Sequence, residues 1–247
     1  MNILNWEAYN GDCIEIMKSL PDNSIDCIIT DPPYWVTDAQ WDTIIPFPVM
    51  WEQLNRLIKP MRHILLFWAE PFSSNLRISN IKKYKYDYYW IKNISTWFQI
   101  TKYQPMRKVE LISVFSDPWA IINHINKTIM KKIKHKKASR GGELLGYINW
   151  YTQTHSWFTN NILEYKGDHN NGRINPTQKP VDLLEFLIKT YTDEGETVLD
   201  FTSWSFSCAV ACENTKRKWI WIEKDEKQFK LWIERIIESQ NQKRLYI

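Results

Sequence analysis

Apolar positions along the chain fall into two kinds of pattern. Short runs at 25–30 (Ile-Asp-Cys-Ile-Ile-Thr), 63–67 (His-Ile-Leu-Leu-Phe), 197–201 (Thr-Val-Leu-Asp-Phe) and 219–223 (Trp-Ile-Trp-Ile-Glu) have the length and β-rich make-up of buried strands. Stretches 14–20, 47–58, 71–81, 180–188, 208–214 and 226–240 instead place apolar residues at helical spacing. Pro180 stands at an early helical position, and Asp225 stands where the last helix needs an N-cap. Residues 86–92 and 110–115 predict two more strands, close enough in sequence to form an antiparallel pair at one sheet edge. Strand–helix alternation of this kind predicts an α/β fold.

Residues 117–165 break the pattern. Lys127, Lys131, Lys132, Lys134, Lys136, Lys137 and Arg140 precede Gly141-Gly142, and Tyr147, Trp150, Tyr151, Trp157 and Phe158 follow. Basic charge beside aromatics is the composition of a nucleic-acid contact, and a solvated lysine-rich helix fits the same residues. The net charge is only +4, so any such surface must be a local patch. The 247 residues suffice for one α/β domain with an insertion. No stretch reaches 18 apolar residues, and no signal-peptide pattern opens the chain. Cys13, Cys27, Cys208 and Cys212 show neither disulfide nor zinc spacing, which fits a cytoplasmic protein without a metal site.

The candidate chemistry lies at Asp31-Pro32-Pro33-Tyr34, directly after the 25–30 run. Two prolines cannot continue a strand, so the strand stops and presents the Asp31 carboxylate at a carboxyl edge, where open α/β sheets bind ligands. Tyr34 follows on a stiff arm. The exocyclic amine of a nucleobase is a poor nucleophile, because its lone pair is delocalised into the ring. A carboxylate and a backbone carbonyl accepting its two N–H bonds free that lone pair for attack on a methyl group, while an aromatic ring stacks on the base. Asp31, the Pro32 carbonyl and Tyr34 can supply these functions. A Pro-Pro turn with a capping Asp is the plainer reading.

Later in the chain, strand 197–201 is followed by the small-residue turn Thr202-Ser203-Trp204-Ser205, a helix, and a strand ending in Glu223. That order describes a nucleoside-cofactor site, in which the turn approaches the ligand and the acid takes ribose hydroxyls. Dinucleotide enzymes share it. Taken with the upstream tetrapeptide, the chain resembles the permuted β-class DNA amino-methyltransferases. The resemblance rests on Asn10-Gly11-Asp12-Cys13, residues 24–34, Met50-Trp51-Glu52-Gln53-Leu54, Pro176-Thr177-Gln178-Lys179-Pro180, Val198-Leu199-Asp200-Phe201 and Ile222-Glu223.

The resemblance implies a Rossmann-like fold with a mixed sheet of about seven strands and helices on both faces. It implies S-adenosylmethionine as methyl donor and adenine N6 of flipped-out bases in double-stranded DNA as acceptor. Asp31, Pro32, Pro33 and Tyr34 would hold the base. Asp12 and Cys13 would lie near the cofactor adenine. Thr177, Gln178 and Lys179 would hold the methionine carboxylate. Asp200, Phe201 and the turn Thr202, Ser203, Trp204 and Ser205 would line the cofactor, and Glu223 would bind its ribose. Lys131, Lys132, Lys134, Lys136, Lys137 and Arg140 would contact DNA from a target-recognition insert at 117–165, and a restriction endonuclease would be a fitting partner. An RNA base methyltransferase and an inactive DNA-binding relative are the rival readings.

One abundance is abnormal: the chain has 14 Trp and only 7 Gly. Trp35, Trp68, Trp97, Trp204 and Trp221 stand where the resembled family has glycine, and Trp6, Trp119, Trp150 and Trp157 are weaker cases. This suggests UGA codons meaning glycine but written as tryptophan. It predicts strain at Trp204, where a glycine could take φ > 0, and an indole in space the cofactor needs.

Overall fold

The computed structural model describes residues 2–3, 6–33, 45–125, 127–136, 151–166 and 178–244. They form two compact units, Met1–Ile122 with Asn161–Ile247, and Asn123–Asn160.

The larger unit opens with β1 (Asn2–Ile3), β2 (Trp6–Asn10) and α1 (Cys13–Ser19), then β3 (Ile25–Thr30), α2 (Phe47–Leu57), β4 (Ile58–Trp68) and α3 (Phe72–Ser79). Two long strands follow, β5 (Tyr84–Thr96) and β6 (Arg107–Ser116). The smaller unit holds β7 (Thr128–Lys136) and β8 (Tyr151–Ser156). The chain then returns through β9 (Ile162–Glu164), α4 (Val181–Tyr191), β10 (Thr197–Asp200), α5 (Ser207–Asn214), β11 (Lys218–Glu223) and α6 (Glu226–Arg244).

The described sheet has nine strands in the order β1-β2-β11-β10-β3-β4-β6-β5-β9. The expected sheet of about seven strands is its centre, and the two- and three-residue strands β1 and β9 are added at its edges. Strands β2, β11, β10, β3 and β4 run parallel, and β6 is antiparallel to both β4 and β5. The expected antiparallel pair therefore exists, but β9 covers its outer member in parallel.

Strand β3 is buried along its whole length, which is why Cys27, Ile28 and Ile29 follow one another without the alternation of a half-exposed strand. Strand β4 begins five residues earlier than the apolar run suggests. Pro60 cannot donate to the ladder, Met61 is left-handed at φ 62°, and the β3 pairing shifts register there. Helices cover both faces. Met17 of α1, Leu54 of α2 and Leu76 of α3 pack with Ile28 and Leu66 on one face. Leu187 of α4, Ala211 of α5 and Trp232 of α6 pack with Ile29 and Leu65 on the other. Each such fully buried aliphatic side chain contributes roughly 1.5–3 kcal/mol. The last helix starts as expected: Asp225 Oδ1 accepts from the Lys227 and Gln228 amides, both at 2.9 Å.

In the smaller unit, 128–136 is a strand paired antiparallel with Tyr151–Ser156, so the lysine-rich helix is ruled out there. The insert was expected at 117–165, whereas the compact unit spans Asn123–Asn160.

Candidate active site

Strand β3 connects through α2 to β4 on one side, and β10 connects through α5 to β11 on the other. The chain thus turns opposite ways from the adjacent strands β3 and β10, which pair at Val198↔Cys27 and Leu199↔Ile28. Their carboxyl ends form a topological switch point, the usual ligand crevice of such sheets. Asp31 directly follows β3, and Asp200 ends β10.

Thr30 links the two strands. Its Oγ1 donates to Asp200 Oδ1 at 2.6 Å and lies 2.7 Å from the Thr202 hydroxyl. A pocket here is lined by Asp31, Phe67, Lys179, Asp200, Thr202 and Trp204, among others. The turn after β10 is pinned to β11: Ser203 N–H donates to the Ile222 carbonyl at 3.0 Å, and Trp221 Nε1 donates to the Ser203 carbonyl at 3.1 Å.

Burial raises the Asp200 carboxyl to about 6, the Thr30 hydroxyl opposing the shift. Burial likewise raises Glu223 at the end of β11 to about 7, although its Oε1 accepts from the Asp225 amide at 2.6 Å. Among the described residues neither acid forms an ion pair. A half-buried and a buried carboxylate without cations among the described residues, on neighbouring strand ends, suit a ligand that brings hydroxyl donors and positive charge.

The first turn of the chain closes on the same edge. Glu223 pairs in register with Asn10. Gly11 N–H donates to the Glu223 carbonyl at 3.0 Å, and Asn10 Nδ2 does so at 2.9 Å. Gly11 has φ +149°, and a Cβ there would meet Ile16 Cδ1 at 3.3 Å, so glycine is required. Asp12 caps α1 through bonds from the Ile14 and Glu15 amides, with Lys224 Nζ 3.5 Å from its other oxygen. Cys13 is half-buried beside it, its thiol pushed up to about 12 by burial.

Lys179 is buried, and its Nζ lies 2.5 Å from Asp31 Oδ2 and 3.6 Å from Glu110 Oε2. Gln178, half-buried, precedes it. Pro32 is buried and Pro33 half-buried. Phe201 is fully buried in the core with Leu199 and Ile222 and does not line the pocket. Ser205 lines the pocket with Trp204. Trp204 is not among the residues with positive φ, so the strain expected at that position is absent; it lines the pocket. Tyr34, Trp35, Thr177, Lys137 and Arg140 lie outside the described residues. Lys134 is exposed on β7, and Lys131, Lys132 and Lys136 belong to the same strand.

Sequence reasoning missed Thr30, Glu110 and Lys92. Thr30 was within reach, as the one hydroxyl ending an otherwise buried strand. Glu110 and Lys92 were not: each reads as an ordinary polar residue of a sheet strand, and Lys179 is far away in sequence.

A family model described as DNA methylase (N6_N4_Mtase) matches residues 25–234. The chain is 26% identical to the Type II methyltransferase M2.MboI of Moraxella bovis, covering 90% of this chain and 84% of that protein. It is 25% identical to the Type II methyltransferase M.HpaI of Haemophilus parainfluenzae, covering 92% and 72%. Among solved structures, the PvuII DNA methyltransferase (cytosine-N4-specific) superposes with a TM-score of 0.69 at 18% identity, covering 92% of this chain and 85% of that one. The M1.HpyAVI–SAM complex superposes with a TM-score of 0.64 at 22% identity, covering 94% and 98%.

Proposed function

The chain belongs to the DNA methylase family, and from that premise we propose that it methylates adenine N6 in duplex DNA, with Asp31 and Pro32 holding the amine. The observation that carries this reading is the Asp31 carboxylate, held at a strand end by Lys179 at 2.5 Å and opening on the same pocket as Asp200.

S-adenosylmethionine, the cofactor, supplies a methyl group activated by its positive sulfonium. Glu223 suits its ribose hydroxyls, Asp200 and the turn 202–205 suit its charged end, and Asp12 and Cys13 lie at the edge next to Glu223. The base amine donates to the Asp31 carboxylate and the Pro32 carbonyl, which draws nitrogen toward tetrahedral geometry and localises its lone pair. As nitrogen takes the methyl, the methyl–sulfur bond would break and leave a neutral thioether, and the extra proton on nitrogen would pass to Asp31. A duplex base can reach the pocket only by leaving the stack, and Tyr34 would stack on it.

Aspartate at the head of the tetrapeptide supports adenine over cytosine. The superposition alone does not decide this, since the PvuII enzyme is titled cytosine-N4-specific. The basic strand β7 supports a DNA-contacting role for the insert, by phosphate neutralisation. The relatives titled Type II methyltransferases support a restriction endonuclease as partner.

Transfer of labelled methyl to duplex DNA and to RNA in competition, followed by nucleoside analysis, tests the reading. The expected product is N6-methyladenine from duplex DNA. N4-methylcytosine would overturn the choice of base, and label confined to RNA would overturn the choice of polymer.

A further inference from the structure

Behind Asp31 the charges alternate. Asp31 meets Lys179 at 2.5 Å, Lys179 meets Glu110 at 3.6 Å, and Glu110 meets Lys92 at 2.7 Å. Lys179 comes from the segment before α4, Glu110 from β6 and Lys92 from β5, so the relay of charges behind Asp31 crosses three separate elements. The ammonium of Lys179 also lies 5.3 Å from the centre of the Phe67 ring. We propose that Glu110, braced by Lys92, is a positioning residue that keeps the buried Lys179 charged and seated on Asp31. This rests on the reading that Asp31 holds the base.

The physical case is direct. A buried ammonium loses hydration and tends to release its proton unless carboxylates face it. Asp31 alone would supply that charge, but Asp31 must also receive the amine and its proton. Glu110 gives Lys179 a second anionic contact that the reaction does not consume. Burial pushes the Glu110 carboxyl up, but Lys179 and Lys92 together outweigh it and hold the acid below its ordinary range. Asp200 and the Cys208 thiol also line the Lys179 pocket, and no other cation among the described residues lines it.

Glu110→Gln should lower kcat about tenfold while leaving the S-adenosylmethionine Kd unchanged. It should also move the alkaline limb of the pH–rate profile to lower pH, because Lys179 then loses its proton more easily. Lys92→Met, which spares Glu110, should move that limb the same way but less. A wild-type alkaline limb in a folded Glu110→Gln protein overturns the proposal. If Asp31→Ala retains turnover, the base-holding reading has failed instead, so the two failures are distinguishable.

A separate observation concerns the tryptophans. Among the described residues five non-glycines have positive φ, and two of them are Trp97 at 73° and Trp157 at 59°. Tryptophan is 14 of 247 residues, so this share is far above its abundance. A bulky side chain rarely accepts the left-handed region, whereas glycine enters it freely. Trp97 is 36% exposed and Trp157 76% exposed, so burial of the indole does not account for the backbone. We infer that positions 97 and 157 are glycine in the protein as made by its own cells, from a UGA codon read there as glycine. The same codon at position 204 would clear the pocket wall where Trp204 now stands.

Reading the gene tests this. UGA is expected at codons 97 and 157, with UGG at Trp51 and Trp90, whose side chains are buried in the core. Peptide masses of the protein from its own cells should show glycine at both positions. UGG at 97 and 157, or tryptophan in those peptides, overturns the inference.

Discussion

The two ends of the central strands treat buried acid in opposite ways. At the amino end Asp26 is 3% exposed, and its charge is closed off. Lys59 Nζ reaches both of its oxygens at 2.8 Å, Arg62 lies at 3.5 Å, and the Thr197 amide donates at 3.0 Å. At the carboxyl end of the same sheet half-buried Asp200 and buried Glu223 have no ion pair among the described residues, and both carboxyls are raised, to about 6 and about 7. A fold that needed only stability could have closed both ends alike. Keeping acid buried and without a cation disfavours its ionised form, and the arrival of hydroxyls and positive charge relieves that cost. Asp31 falls between the two: it carries a cation, Lys179, yet its side chain remains 29% exposed at the pocket.

The largest break in this comparison is at Asp31. Asp31→Ala, made in the more active of the Trp204 chain and its Trp204→Gly variant, should lower turnover by roughly 10²–10⁴. Its S-adenosylmethionine Kd should barely change, because the contact proposed for Asp31 is to the base. Single-turnover rates beside a cofactor titration check this, and equal losses in both would place Asp31 in the cofactor site instead.

Next come the two ends themselves. Asp26→Ala removes the partner of Lys59 and of the Thr197 amide, while Arg62 keeps Glu196, and should cost about 2 kcal/mol in urea unfolding, with cofactor affinity of the folded fraction unchanged. Glu223→Gln should do the reverse, weakening cofactor binding about tenfold through a poorer acceptor. At pH 8 it should also make the free protein about 1–2 kcal/mol more stable, because it removes a carboxylate that is costly to ionise.

A smaller effect follows from pH. Both raised carboxyls favour the protonated form in the folded state. Their contribution to stability is complete below the unfolded values near 4 and is lost as pH rises through about 6 and about 7. The cofactor-free protein should therefore melt at lower temperature at pH 8 than at pH 5.5, and the difference should shrink in Glu223→Gln. The smallest effect is in the insert. Replacing Lys131, Lys132, Lys134, Lys136 and Lys137 by Ala should reduce the slope of log K against log salt for duplex binding by about 0.9 per lost phosphate contact.

Much of this was legible in the sequence, for physical reasons that also mark where it stopped. The span of β3 follows from a short, mostly apolar, β-rich run that two prolines terminate. Asp225 announces its helix because capping is local. Strand β9 is three residues long and carries no periodicity to read. The basic stretch at 128–136 looks as helical as it looks extended, and its pairing with Tyr151–Ser156 decides the matter. The Lys179–Asp31 contact spans 148 residues of chain, so only the folded sheet could reveal that the lysine faces the acid. Phe201 is named for the cofactor site by the family resemblance alone, and the structure packs its ring in the core beside Leu199, a placement that alternation along the chain explains.

The contrast between the two ends is tested most directly by counting protons during cofactor binding. Calorimetric titration of the protein with S-adenosylmethionine at pH 6.5, in two buffers of different ionisation enthalpy, reports that count. Positive charge beside Asp200 and hydroxyl donors on Glu223, as proposed, would favour the ionised acids, so net proton release is expected, abolished in part by Glu223→Gln and unaffected by Asp26→Ala. Binding with no proton release, or with uptake, would contradict it.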